Sequence, residues 1–288
     1  MENIMIEILK ALLFGVVEGI TEWLPVSSTG HMILLNEFLP LNVSAEFYSM
    51  FEVVIQLGAI LAVVVLFWKS IWPFGRRNNP APLSPKGIGS YMNKNILILW
   101  FHILISCIPA AIVGVLFDDA LEEVFYNYQT VAIMLILVGI AFIVVEILHK
   151  GKEARINDVA GITWKIALII GLFQLIAAIF PGTSRSGATI IGALLIGVSR
   201  SVAAEYTFFL AVPVMLGASL LKLVKFGFHF TGMEIAILLV GMVVAFAVSL
   251  FVIRFLLVFI KKHDFKPFAC YRIALGIVVL ICGLLKLI

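Results

Sequence analysis

Two stretches carry the polar chemistry of an otherwise apolar chain: VVEGITEWLPVSSTGH, from Val16 to His31, and PGTSRSGAT, from Pro181 to Thr189. Glu18 and Glu22 are four residues apart, so on a helix both carboxylates leave one face, one turn apart. Two close carboxylates in a low-dielectric setting share a proton or bind a cation. Oxygen donors suit Mg²⁺ or Ca²⁺, which makes Glu18 and Glu22 the expected ligands of a divalent cation. After Pro25, the run Ser27, Ser28, Thr29, Gly30, His31 feeds a helix whose free N–H groups and dipole form an anion site. The second stretch repeats that arrangement and adds Arg185, a planar cation that forks onto phosphate oxygens and stays charged. A serine or histidine can take a phosphoryl group, and a histidine or carboxylate can move the proton. The residues alone do not choose between Ser28 and His31. Plainer readings exist for each: a Ser/Thr helix cap, a structural Glu–Arg pair, a histidine bonded to a carbonyl.

The elements that must position these residues cross a bilayer. Of 288 residues, 62% are hydrophobic and 13% charged, against about 25% charged in soluble domains, and the mean hydropathy is +1.15. A helix needs roughly 20 apolar residues to span a bilayer core. Six windows qualify: Phe51 to Trp68, Leu97 to Phe117, Gln129 to Leu148, Ala204 to Val224, Glu234 to Ile260 and Phe268 to Ile288. No alternating ten-residue pattern points to a barrel, so an all-α bundle is expected. Cys107, Cys270 and Cys282 lie scattered in apolar sequence and read as small hydrophobes.

Two more apolar stretches, Ile4 to Leu24 and Ile162 to Phe180, each end at a proline, a polar loop and a short helix (Met32 to Leu39; Ala188 to Val198). A long helix followed by one too short to cross predicts a re-entrant hairpin. A shift of 156 residues superimposes Gly15 on Gly171, Ile20 on Ile176, Pro25 on Pro181 and Ser28 on Ser184. Three spans follow each hairpin. The expected fold is therefore an all-α polytopic membrane protein, an inverted-topology repeat of six transmembrane helices plus two re-entrant helical hairpins. One membrane domain covers 1–288, with a first repeat over 1–150 (hairpin 4–40 plus three spans) and a second over 160–288 (hairpin 162–198 plus three spans).

Charge supports opposite entry of the hairpins. Thirteen of the twenty Lys and Arg, including Lys69, Arg76, Arg77 and Lys261, fall in segments assigned to the cytoplasm. Lys10, Lys222, Lys225 and Lys286 fall outside. The loops Pro25 to His31 and Pro181 to Gly187 should then meet near the midplane, where an ionisable residue is functional by default. Glu52, Glu205, Arg254, Arg272 and His102 read as members of structural pairs, and Gly114, Gly139, Gly192, Gly217 and Gly241 as helix-contact positions.

With these motifs in view, EGITEWLPVSSTGH and PGTSRSGATI resemble the two signatures of the undecaprenyl pyrophosphate phosphatases, the bacitracin-resistance membrane proteins of bacteria. FEVVIQLGAILAVVVLFW also resembles that family, and the likeness covers essentially the whole chain. The resemblance implies hydrolysis of undecaprenyl diphosphate to undecaprenyl phosphate and phosphate, recycling the carrier for cell wall synthesis. It also implies a divalent cation, a polyprenyl diphosphate lipid as partner, and a multi-pass location in the bacterial plasma (inner) membrane with the site open to the outer face. Nucleic acid is not an expected partner, and homodimerisation stays open. On this reading Glu18 and Glu22 hold metal or manage protons, Ser28 is the first candidate nucleophile, and His31 assists or is itself phosphorylated. Arg185 neutralises phosphate charge, while Ser27, Thr29, Thr183, Ser184 and Ser186 bond phosphate oxygens. Gly30, Gly182 and Gly187 let the backbone come close. A transporter or lipid flippase built on the inverted repeat, and an intramembrane serine protease using Ser28 and His31, are the competing classes.

Overall fold

The computed structural model describes residues 2–75 and 79–287. Arg76 and Arg77, counted above with the cytoplasmic charges, and Ile288, the expected end of the last span, lie outside them. Twelve α-helices account for the described chain: α1 (Glu2–Thr21), α2 (Ser28–Phe38), α3 (Ala45–Val54), α4 (Gln56–Leu66), α5 (Trp68–Ile71), α6 (Lys94–Phe125), α7 (Tyr128–Leu148), α8 (Trp164–Ile179), α9 (Arg185–Leu195), α10 (Arg200–Phe226), α11 (Gly232–Phe259) and α12 (Lys266–Leu284). Extended pairing among the described residues is limited to the isolated bridges Pro82–Asn93 and Ile156–Val198.

Among the described residues, six segments are long and apolar enough to cross a membrane: α3 with α4, most of α6, and α7, α10, α11 and α12. The chain is a multi-pass, all-α membrane protein. Several helices begin upstream of the apolar windows, because polar caps set their starts. Ser44, Asn127, Ser199 and Thr231 each accept a backbone N–H of the following turn, and Thr231 forms a capping box with Glu234. The first span therefore starts at Ala45 instead of Phe51, and it breaks at Ile55 between α3 and α4. The short helices also start earlier than expected, α2 at Ser28 and α9 at Arg185. Hydroxyl caps fix both starts.

Helix pairing follows small residues. α1 lies along α11, where a Cβ on Gly15 would come within 2.6 Å of the Gly241 carbonyl oxygen. α8 lies along α6 in the same manner, with a Cβ on Gly171 falling 2.5 Å from the Ser106 carbonyl oxygen. Ser106 adds a polar lock there, its hydroxyl donating to the Ala167 carbonyl (2.7 Å) and meeting the Tyr206 hydroxyl (2.8 Å). α7 packs on α12, α4 on α11 and α6 on α10. Each long helix that precedes a polar loop thus pairs with a span from the other portion of the chain. Gly139, Gly192 and Gly241 occupy contacts as expected, whereas Gly114 and Gly217 face open space. A glycine in an apolar window marks small size, and size alone does not say which face is turned to a neighbour.

The aromatic core surrounds the loops. Trp23 packs edge-on against Phe208 with centroids 5.3 Å apart, and Phe142, Tyr206, Phe209 and Phe265 complete the same cluster. A second cluster of Phe14, Phe47, Met50 and Phe51 fills the space between α1, α3 and α11.

Candidate active site

The two polar loops meet. Ser27 and Ser184 both hold a positive φ, 72° and 68°, a conformation that costs an L-residue about 1 kcal/mol or more. Each serine side chain caps its helix, accepting from the N–H of Gly30 (3.5 Å) and Gly187 (3.2 Å) respectively. Ser27 and Ser184 are therefore structural counterparts, one residue out of step with the Ser28–Ser184 match read from the sequence. Between its proline and its cap serine the second loop carries two residues, Gly182 and Thr183, where the first carries one, Val26. Ser28 and Arg185 consequently occupy equivalent places, each the first residue of its short helix.

Both reach the same carboxylate. Ser28 donates its hydroxyl to Glu22 Oε2 at 2.9 Å, and Arg185 Nη2 donates to Glu22 Oε1 at 3.0 Å. The Arg185–Glu22 ion pair is largely buried, with side chains 12% and 7% exposed. Arg185 Nη1 is tied to the Thr207 carbonyl at 3.0 Å, while its Nε has no partner. Ser186 closes the contact from behind, donating to the Glu22 carbonyl at 3.2 Å and sharing a bond with Ser184 at 3.1 Å. These two hydroxyls hold the loops together and do not line the cavity described next.

That cavity, of about 220 Å³, opens beside Ser28 and Thr29. Glu18 lines it, fully buried with both carboxylate oxygens unpartnered. Glu52 faces the same space and accepts the Tyr126 hydroxyl at 3.0 and 3.2 Å. At the mouth, Lys222 Nζ bonds Glu122 at 3.0 Å, and farther out Asp119 pairs with Lys225, whose bond and charge hold its carboxyl below the usual range. His31 is turned elsewhere: Nδ1 lies 2.7 Å from the Ser27 carbonyl and Nε2 2.7 Å from the Tyr271 hydroxyl, with the two rings stacked. Thr183 is buried with its hydroxyl unpartnered. Gly182 holds φ +88°, and a Cβ there would sit 2.6 Å from the Val131 carbonyl oxygen.

The profile of the family described as "Bacitracin resistance protein BacA" matches residues 11–278. The chain belongs to this family. Among its relatives, an undecaprenyl-diphosphatase of Desulfitobacterium hafniense is 61% identical over 96% of both chains. The undecaprenyl-diphosphatase 1 of Clostridium acetobutylicum is 60% identical over 96% of this chain and 97% of its own, and an Enterococcus faecalis undecaprenyl-diphosphatase is 58% identical with the same coverage.

In this BacA-family chain the loops are stapled by a residue that sequence reading had placed in a structural pair. Arg272, on α12 and fully buried, donates to the carbonyls of Pro25 (3.1 Å), Gly182 (3.0 Å), Thr183 (2.8 Å) and Leu135 (3.1 Å). One guanidinium thereby joins both loops to α7. Arginine within an apolar span is signal enough to mark the position, but its partners are carbonyls of remote loops, which no spacing rule reveals. Tyr271, Thr207, Tyr126, Lys222 and Glu122 were missed for the same reason. Of the other residues assigned to structural pairs, Arg254 is exposed, and Glu205 and His102 line a separate cavity between α6 and α10.

Proposed function

We propose that this chain hydrolyses the phosphoanhydride of undecaprenyl diphosphate, releasing phosphate and returning undecaprenyl phosphate for cell wall synthesis, with bacitracin resistance as a consequence. The observation that carries this reading is the Ser28–Glu22–Arg185 chain, in which Ser28 lines the cavity and behind it a buried cation holds the carboxylate that accepts its hydroxyl. Family membership and relatives named undecaprenyl-diphosphatase support the substrate.

The steps follow from the geometry. Ser28 Oγ attacks the terminal phosphorus, its proton passing to Glu22 Oε2, while the bridging P–O bond breaks and the lipid monophosphate leaves. Water then attacks the phosphoserine phosphorus, the P–Oγ bond breaks, inorganic phosphate leaves carrying the water's oxygen and protons, and Ser28 Oγ takes back the proton held by Glu22. Arg185 pairs with Glu22 at 3.0 Å and supplies positive charge one carboxylate behind the phosphoryl group, the kind of fixed electrostatics that dominates phosphoryl transfer. Thr29 lines the cavity beside Ser28 and offers a hydroxyl to a phosphate oxygen.

A divalent cation fits the remaining donors. Glu18 is a buried carboxylate with two free oxygens, and the cavity also presents Ser28, Thr29, Glu52 and Gln56, all hard oxygen donors. Both oxygens of Glu22 are already engaged, so Glu18 would be the principal ligand and Glu22 the neighbour that adds negative charge. Among the described residues no group of three or more His, Cys, Asp or Glu forms a complete cage, which matches the habit of Mg²⁺ of taking one or two carboxylates and completing its shell with substrate phosphates and water. When bound, the cation would neutralise phosphate charge.

The placement is the bacterial plasma membrane with the cavity on the outer side. Its rim carries Glu122 and Lys222, next to Asp119 and Lys225, on the face that charge distribution assigns outside. The exchanged helix pairing of α1 with α11 and α8 with α6 supports an inverted repeat, and that architecture also suits a carrier. Purified protein in detergent, where no gradient exists, separates the two. Phosphate release from undecaprenyl diphosphate, lost with a chelator and restored by Mg²⁺ or Ca²⁺, is the expected result; binding without release would leave a carrier.

A further inference from the structure

The cavity beside Ser28 has an unbalanced lining. Glu18, Glu52 and Glu122 contribute acids, and among its described lining residues Lys222 is the single base. Arg185 stands behind Glu22 and does not line it. A diphosphate whose terminal phosphorus lies against Ser28 must place its second phosphate, the one bearing the lipid, elsewhere in the same small space. Lys222 is on α10 and reaches in from the mouth, its Nζ held by Glu122 at 3.0 Å and Ser49 Oγ at 3.3 Å. Its side chain is 19% exposed, whereas that of Glu122 is 41% exposed. The carboxylate is thus the partner with water to move into. Leu121 and the α8 end from Ala177 to Ile179 supply apolar wall beside this point, with Ala178 exposed, a route by which a lipid tail leaves the cavity.

We propose that Lys222 binds the lipid-bearing phosphate of the substrate, and that Glu122 is a displaceable anion that occupies Lys222 until the diphosphate arrives. The proposal rests on the phosphatase reading above and extends it to a subsite for the leaving group. As the bridging bond breaks, negative charge grows on that phosphate, so an ammonium beside it favours departure. Lys222 also separates diphosphates from monophosphates, because only the former carry a group for it to meet.

The opposite signs of two substitutions test this. Removing a charge-assisted bond to the substrate predicts that Lys222→Gln lowers kcat/KM for undecaprenyl diphosphate by about tenfold to a hundredfold. Glu122→Gln frees the ammonium and raises kcat/KM, by up to about fivefold, the worth of an exposed ion pair. Lys222→Arg keeps most of the activity. A plain structural salt bridge predicts the same direction for both deletions, so a fall in kcat/KM with Glu122→Gln, or no change with either, overturns the proposal. Thermal unfolding in detergent accompanies each assay; should Lys222→Gln fail to fold, the rise with Glu122→Gln and retention with Lys222→Arg decide. If the wild-type protein releases no phosphate, the phosphatase reading falls first and takes the subsite with it, an outcome distinct from an active wild type with unsplit variants.

Discussion

Replacing Arg272 with methionine removes a side chain that bonds both polar loops at once. Its guanidinium is 0% exposed and donates to four carbonyls, three of them in the loops. Hydrogen bonds to a charged group contribute about 1.5–3 kcal/mol each, and an abandoned buried carbonyl costs about 1–3 kcal/mol. Methionine has similar reach and relieves the desolvation of a buried charge, which offsets part of the loss. A net destabilisation of about 3 kcal/mol follows, or a fall in Tm of roughly 5 °C for a chain of this length. The activity loss should be larger in proportion, because the Ser28–Glu22–Arg185 chain crosses the same junction and a shift of about 1 Å there costs roughly a hundredfold. The assay is thermal unfolding in detergent beside phosphate release from undecaprenyl diphosphate, with Arg272→Lys as an intermediate case because an ammonium reaches fewer of the carbonyls. Unchanged Tm with turnover within about twofold of wild type would refute the stapling argument, since effects of that size lie within ordinary surface substitutions.

Further outcomes follow from the same contacts. Ser28→Ala should abolish phosphate release with little change in Tm, while Ser27→Ala, which removes the α2 cap, should lower stability by about 1 kcal/mol and spare more of the activity; equal, small activity losses would point to His31 or water. His31→Ala and Tyr271→Phe break the same 2.7 Å contact and should cost similar amounts in kcat/KM, whereas a phosphorylated histidine predicts that only the first is inactive. Gly182→Ala forces a side chain into φ +88° against the Val131 carbonyl and should cost about 1–3 kcal/mol in unfolding, read as a lower Tm; an unchanged Tm would mean the loop relaxes freely.

Much of this was legible in the sequence, for identifiable reasons. The six spans follow from apolar length, and both polar loops from hydroxyls and glycines beside prolines, because bilayer thickness and helix capping act locally. That Arg185 pairs with Glu18 or Glu22 could be named, since a buried charge needs a counter-charge, but which glutamate takes it, Glu22, could not. Register and reach were not legible. Whether Ser28 or Arg185 begins its helix at the equivalent point depends on one extra residue in the second loop, which an ungapped superposition hides. The partners of Arg272 and the direction of His31 depend on how α12 lies along α7, a contact between helices more than a hundred residues apart in sequence. Ile55, where the first span breaks, carries neither Pro nor Gly to announce it.

The central claim is that Glu22 and Arg185, 163 residues apart in the chain, form one catalytic unit with Ser28. A double-mutant cycle on kcat/KM measures it directly, using Glu22→Gln, Arg185→Gln and the pair together in purified protein. Each single change should cost about a hundredfold or more, and the double variant should be no worse than the poorer single, because residues acting as a unit are strongly non-additive. Losses that multiply would place the two residues in separate roles and contradict the account.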